Sequence, residues 1–71
     1  ELDLSNNQIS DIGALSGLVN LTELKLNNNK ITDISPLKKL SKLKTLLLNE
    51  NHIHDYSPVE GYYLKLNFKD F

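Results

Sequence analysis

The sequence predicts an α/β solenoid in which a parallel β-sheet lies on one side of stacked coils and tight 3₁₀ turns lie on the other. Apolar and polar residues recur at an interval of 22 in three copies, and each copy begins with the alternation LDL, LKL or LLL. Strict alternation is typical of a strand, whereas the leucines and isoleucines that follow are spaced three apart, as in a 3₁₀ turn. A repeat of this length indicates units that bury a common core by stacking.

Composition limits the chain to one small unit. It has 71 residues, eight basic and nine acidic side chains, a net charge of -1 and no cysteine. A disulfide framework and a thiolate zinc site are therefore excluded, and no field of positive charge is present to attract nucleic acid. No apolar run reaches the ~20 residues that span a bilayer, so we predict no membrane insertion in this segment. Because the chain opens on ELDLSNN without methionine or a leader, we expect it to be part of a longer protein.

The strand of each copy should point alternate side chains into the solenoid. Strand neighbours separated by about 20 residues of connection pair in parallel. The inward set combines the strand leucines with the isoleucine that follows each turn, and its members are Leu2, Leu4, Ile9, Leu24, Leu26, Ile31, Leu46, Leu48 and Ile53.

The opposite side of each coil should be a short helical turn. Ile12, Leu15 and Leu18 in the first copy match Ile34, Leu37 and Leu40 in the second. Pro36 favours a short turn over a long helix. Leu21 and Leu43 then lead to the next strand.

An asparagine follows each strand where the chain bends, at Asn7, Asn29 and Asn51. Its amide offers two donors and an acceptor to backbone groups that no ladder satisfies. We predict a structural role, with bonds to the neighbouring coil as well as to its own, and asparagine tolerates the unusual dihedrals of a turn.

An aspartate precedes each 3₁₀ turn, at Asp11, Asp33 and Asp55. A carboxylate there can cap free amides of the turn. Since no second acid recurs beside it, we prefer capping to paired-carboxylate catalysis.

The outward side chains of the strands are predicted to form an open, water-facing surface that binds a protein partner. Asp3 and Lys25 require water, so one face of the parallel sheet cannot be covered. Leu47 takes the place of these charged residues and is either an anchor for a partner or a leucine that packs on a following strand. The candidate contact residues are Glu1, Asp3, Ser5, Asn6, Glu23, Lys25, Asn27, Asn28, Thr45, Leu47, Asn49 and Glu50.

Other chemistries receive little support. His52 and His54, with Asp55, are potential zinc ligands, but the histidine pair occurs in one copy only and spacing fixes no third ligand for it. The basic stretch Lys38, Lys39, Lys42 and Lys44 is more typical of a solvated face than of a nucleic-acid site. No phosphate loop or nucleophile motif is present. We therefore predict no catalytic residue, cofactor or metal.

The pattern LxxLxLxxNxIxDIxxLxxL resembles the leucine-rich repeat, and the stretch NKITDISPLKKLSKLKTL is similar to the internalin-like bacterial subclass. The resemblance covers residues 1 to about 59, with units at 1–23, 24–45 and 46–59, the last partial or divergent. It implies a right-handed, curved coil with the sheet on the concave side and 3₁₀ turns on the convex side. Gly13 and Ala14 depart from the convex motif, as do Tyr56 and Val59.

The end of the chain differs from the repeats in composition, because all five aromatic residues lie beyond residue 55. Such rings would shield the open end of a solenoid core. Residues 60–71 are thus a divergent terminal repeat, a C-terminal cap or the start of a following domain. A step of 22 from Leu46 reaches Phe68, whereas the alternation of Leu64, Leu66 and Phe68 would start a strand four residues earlier.

The resemblance implies a non-enzymatic protein-recognition module, extracellular or on a bacterial cell surface, in an adhesin that binds a host protein. Two alternatives remain. The repeats could be the targeting arm of a secreted effector whose catalytic domain lies elsewhere, or a cytoplasmic scaffold that resembles phosphatase-regulatory subunits. Three or four strands at ~4.8 Å make a narrow patch, so we expect further repeats in the intact protein.

Overall fold

The computed structural model describes residues 1–71 and contains one four-stranded sheet. All strand pairs are parallel, and their order in the sheet follows the chain. The predicted solenoid of coils stacked side by side is therefore confirmed. The strands are β1 (Leu2–Asp3), β2 (Glu23–Lys25), β3 (Thr45–Leu47) and β4 (Phe68–Lys69).

Short 3₁₀ turns form the side opposite the sheet, as predicted, and no longer helix is present. In the second turn the Leu37 N–H donates to the Ile34 carbonyl at 2.9 Å, and Pro36 occupies the start of the turn, where its missing N–H is not needed. Successive turns pack against each other along the stack. The turns are Gly13–Gly17, Ser35–Leu37, Ser57–Val59 and Tyr63–Lys65.

The interval of 22 holds for the first three strands and fails at the fourth. Leu2 pairs with Leu24 and Leu24 with Leu46, but Leu46 pairs with Lys69, a step of 23. Both sequence-based registers for the last strand are thus wrong. The additional residue lies in the connection that contains the extra turn Tyr63–Lys65.

Leucines and isoleucines from successive coils form, together with Val59 and Tyr62, a single core of 14 buried residues. Leu24, Leu26, Leu46 and Leu48 are almost completely inaccessible to water. The first coil has a neighbour on one side only, so its inward residues are less well covered and Leu18 remains 42% exposed. The core of each coil therefore depends on the coils beside it.

The amides of Asn29 and Asn51 join two coils. Asn29 Nδ2 donates to its own coil at Leu26 O (2.9 Å) and to the previous coil at Leu4 O (3.0 Å), while its Oδ1 accepts the Ile9 N–H at 3.0 Å. Asn51 repeats these bonds one coil later. Asn7 is exposed and its Nδ2 reaches only the carbonyls of its own coil. The residue type is the same at each position, but the number of coils that it joins differs.

The aspartates before the turns accept hydrogen bonds from the first residue of each turn. Asp33 Oδ1 accepts the Ser35 N–H at 2.9 Å, and Asp55 and Asp11 make the same contact with Ser57 and Gly13. Each aspartate lies one residue before the N-cap position, so the contact is an Asx turn. The hydrogen bond from the serine backbone is the main cause that lowers the pKa of Asp33 and of Asp55.

The last coil closes the core with aromatic rings and a carboxylate. Tyr62 is buried and its hydroxyl donates to the Leu37 carbonyl at 2.7 Å. Tyr63 packs against the core and its hydroxyl donates to Phe71 O at 3.0 Å. The Asp70 carboxylate accepts the Leu48 N–H at 2.6 Å, whereas in earlier coils the equivalent N–H donates to a carbonyl of the next strand. A side chain thus replaces the backbone ladder at this edge.

The asparagine bonds lead to a prediction about stability. Replacement of Asn29 with alanine leaves the Ile9 N–H without an acceptor, and the carbonyls of Leu4 and Leu26 each lose one of two amide donors. We therefore expect a loss of about 1–3 kcal/mol in the free energy of unfolding. Asn7→Ala is the matched control and should cost less, because its amide contacts one coil and is exposed to water. Urea unfolding followed by circular dichroism measures both. Equal losses for the two variants would contradict the bridging role of Asn29.

The Asx turns predict how stability depends on pH. The pKa of Asp33 and of Asp55 lies below the ordinary value of 3.8 in the folded protein. Their contribution is therefore present above about pH 3.8 and is lost as pH falls through the lower, folded pKa. The variant Asp33→Asn with Asp55→Asn keeps an acceptor oxygen but cannot titrate, so its urea midpoint should fall less between pH 5 and 2. Glu60→Gln, whose carboxylate makes no hydrogen bond, is the control; an unaltered slope in the double variant would refute the assignment.

Candidate functional site

The outward side chains of the sheet form regular rows across the strands. Asp3, Lys25 and Leu47 are register partners on β1, β2 and β3, and Glu23 is the partner of Thr45. None of the twelve predicted contact residues is buried. The exposed members are Glu1, Asp3, Asn6, Asn28, Asn49 and Glu50, and the partly buried members are Ser5, Glu23, Lys25, Asn27, Thr45 and Leu47.

The charged groups of this surface bond to residues of their own coil rather than to charged residues of the neighbouring strand. Lys25 Nζ lies 3.9 Å from a Glu23 carboxylate oxygen, and this is the one salt bridge of the chain. Asp3 instead accepts the Ser5 hydroxyl at 2.6 Å and the Ser5 N–H at 3.0 Å. The hydroxyl bond is the largest cause that lowers the pKa of Asp3.

A left-handed backbone recurs where the strands turn toward the convex side. The φ angles are 60° at Asn6, 60° at Asn28 and 62° at Glu50. The left-handed residue thus directly precedes each structural asparagine. Asn28 Nδ2 donates to Asn6 Oδ1 at 2.7 Å, so these two amides also link adjacent coils. Glu50 belongs to a residue type that tolerates the left-handed region poorly.

Phe68 belongs to this surface although its sequence position suggested a shield for the core. It is the register partner of Thr45 and is 68% exposed. Together with Glu23, Lys25, Thr45 and Leu47 it lines a hollow of about 440 Å³ on the outward side of the sheet. The extra residue before β4 places Phe68 outside the inward leucine column. The sequence shows that the last unit diverges from the repeat, but it does not show which residue of β4 pairs with Leu46.

Two other hollows lie away from the strands. One, of about 420 Å³, is at the aromatic end of the stack and is lined by Tyr56, Val59, Glu60, Tyr63 and Phe71. The other, of about 260 Å³, is on the convex side, where Lys38 and Lys39 lie beside Pro36 and two serine hydroxyls. Neither contains a group of catalytic side chains in mutual contact. We favour the sheet surface because its side chains come from every strand.

The alternative of a metal site gains no geometric support. No group of three or more histidine, cysteine, aspartate or glutamate side chains is placed to hold an ion, so His52, His54 and Asp55 do not form such a set. The structure also contains no helix with the length and apolar character that a membrane crossing requires.

The strained backbone at Glu50 leads to a prediction. Asparagine is the residue found at the two equivalent positions and accepts a positive φ at lower cost, so Glu50→Asn should stabilise the chain by up to about 1 kcal/mol. Glu60 has φ −58° and provides the control, since the same replacement there relieves no strain. Urea unfolding compares the variants. A gain in both, or in neither, would contradict the strain at Glu50.

A comparison with protein-family models agrees with the observed fold. The family model described as Leucine Rich repeats (2 copies) matches residues 1–39, which is more than half of the chain. No curated protein sequence matches the chain.

Two solved internalin structures from Listeria monocytogenes are similar to the chain. Internalin C2 is 38% identical, with a TM-score of 0.88 over 96% of this chain. The internalin inlF is 42% identical, with a TM-score of 0.84 over 92% of this chain. The chain spans 30% and 19% of those two proteins. With two matched repeats, a parallel sheet and short 3₁₀ turns, the chain belongs to the leucine-rich repeat family and its repeats are internalin-like.

Proposed function

We propose that the chain is a non-catalytic protein-recognition module whose contact surface is the outward side of the sheet. One observation carries this proposal. Four parallel strands hold a continuous set of outward side chains that no other part of the chain covers. Parallel sheets normally have both faces covered, so an uncovered face has a use outside the core.

The inward residues of the strands repeat from coil to coil, whereas the outward residues differ. Leu24 and Leu46 pair in the same inward column and are fully buried, while their neighbours Lys25 and Leu47 pair in the outward column and differ completely in polarity. Replacement of an outward side chain therefore changes recognition without loss of core packing. This separation is what a repeat scaffold needs to bind protein partners.

The area of the surface indicates that neighbouring coils contribute to binding. Four strands at ~4.8 Å spacing give a patch about 15 Å wide. A stable interface typically buries about 800 Å² on each partner. We propose that further repeats of the intact protein extend the same surface.

The setting that we propose is a bacterial surface or secreted adhesin that binds a host protein. The support is the similarity to two Listeria internalins at 38% and 42% identity, which both include nearly all of this chain. In this setting the module acts outside the cell, and its partner is a protein rather than a nucleic acid or a membrane.

A double variant tests the contact surface. An array of purified extracellular proteins is probed with the biotinylated 71-residue chain, and bound proteins are measured again with Lys25→Ala combined with Leu47→Ser. We expect binding to weaken at least about tenfold, because an interface loses about 1.4 kcal/mol or more when central contacts are removed. Circular dichroism should not change, since both side chains point away from the core.

The matched control is Lys38→Ala with Lys39→Ala on the convex side, which should bind as the native chain does. Equal binding by the outward-face variant and the native chain would refute the assigned surface. So would the absence of any bound protein on the array.

A further inference from the structure

We infer that the proposed contact surface recognises a basic protein segment that presents one large apolar side chain. This inference rests on the proposed function and specifies the partner's chemistry. Leu47 and Phe68 form an apolar anchor at one end of the sheet. The carboxylates of Glu1, Asp3, Glu23 and Glu50 lie across the rest of the surface and at its rim.

Phe68 is the residue of the anchor that has no structural role in the fold. Tyr56 stacks on Phe71 at a centroid distance of 5.2 Å, and Tyr63 packs edge-on against the same ring. Tyr62 is buried and hydrogen-bonded to the chain. Phe68 has no aromatic partner and is 68% exposed. A large aromatic ring in this state is a typical hot-spot residue of an interface.

Leu47 and Phe68 share one hollow. Both line the space of about 440 Å³ whose other walls are Thr45, Glu23 and Lys25. An apolar side chain from a partner can lie between the leucine and the ring, with the Thr45 side chain beneath it. Contact with both residues removes apolar surface from water on each side of the interface.

The charges around the hollow specify the remainder of the partner. Among the proposed contact residues there are four carboxylates and one lysine, and that lysine is paired with Glu23, which leaves the carboxylates of Glu1, Asp3 and Glu50 without a salt bridge. The Ser5 hydroxyl bonds to the Asp3 carboxylate at 2.6 Å and lowers its pKa, which favours the charged form. The lysine-rich stretch Lys38, Lys39 and Lys42 lies on the opposite side, around the second turn. The surface is therefore negative, and lysine or arginine side chains of a partner complement it.

Glu50 provides independent support for a role of negative charge. The equivalent positions in the other coils are asparagines, which suit the left-handed backbone and form an amide link between coils. A glutamate neither suits the left-handed backbone nor forms the amide link, and the Glu50 carboxylate has no salt-bridge partner in the chain. Strained positions of this kind concentrate at binding sites.

The register fixes the separation between the two parts of the surface. Asp3, Lys25 and Leu47 lie in one row on consecutive strands. Two strand spacings separate the aspartate from the leucine, roughly 10 Å. A partner segment that inserts an apolar side chain beside Leu47 must therefore carry its cationic groups about that far along the row. A short linear peptide can meet this requirement.

A phage-displayed library of random twelve-residue peptides, panned on the immobilised 71-residue chain, tests the inference. We expect the enriched sequences to carry a large apolar residue together with an excess of lysine and arginine. The best peptide is then synthesised, and its Kd is measured by fluorescence anisotropy at 50 and 300 mM NaCl. Phe68→Ser should raise the Kd at least tenfold at both salt concentrations. Asp3→Asn with Glu50→Gln should raise it several-fold at 50 mM and much less at 300 mM, because salt screens the lost charges.

Two control variants are matched to these changes. Leu64→Ser removes an apolar side chain that is more accessible than Phe68, 92% exposed, from the extra turn and should leave the Kd unchanged. Glu60→Gln removes a carboxylate that lies off the sheet and should also have no effect. Circular dichroism of all variants verifies that the fold is retained.

The outcomes separate this inference from the proposed function. Enriched peptides that are acidic or lack an apolar residue, but lose binding with Lys25→Ala and Leu47→Ser, would overturn the chemistry and leave the contact surface standing. Peptides insensitive to every outward-face variant would overturn both. Failure to enrich any peptide would also overturn the inference, because it requires a linear basic and apolar segment to be sufficient for binding.

Discussion

The fold depends on the interaction between one coil and the next, since no coil can bury its apolar side or satisfy its turn alone. The amides of Asn29 and Asn51 show the constraint most clearly, because each bonds to the backbone of two consecutive coils. The strand leucines of the second and third coils, which have a coil on both sides, are buried, whereas those of the first coil are partly exposed. Hydrogen bonding and apolar burial therefore require the same register, and a regular stack satisfies both.

Because the inward leucines and the turn asparagines hold the coils together, the outward strand positions have no structural role. Inward leucines and turn asparagines must recur, whereas Asp3, Lys25 and Leu47 occupy a single row and have three different chemistries. A recognition surface can thus vary on a constant framework. The same physical feature explains the sequence repeat and the proposed function, because the residues that repeat hold the coils and those that differ meet the partner.

The final coil shows how one additional residue changes the role of a side chain. With a step of 23, Lys69 rather than Phe68 pairs with Leu46, and the phenylalanine turns to the outward side. The Asp70 carboxylate meanwhile accepts the Leu48 and Asn49 N–H groups, which completes the edge of β3 beyond the short last strand. The hollow beside Leu47 exists because of this shift.

The sequence alone determined the stacked architecture, the inward columns and the outward surface, since these follow from periodic burial along strands and turns. The tertiary structure decided the register of β4, the exposure of Phe68 and the left-handed positions at Asn6, Asn28 and Glu50. It also decided that Asn7 joins one coil while Asn29 joins two. These features depend on which backbone groups come into contact across coils. Residue types at a fixed interval cannot specify such contacts when the interval changes or a neighbouring coil is absent.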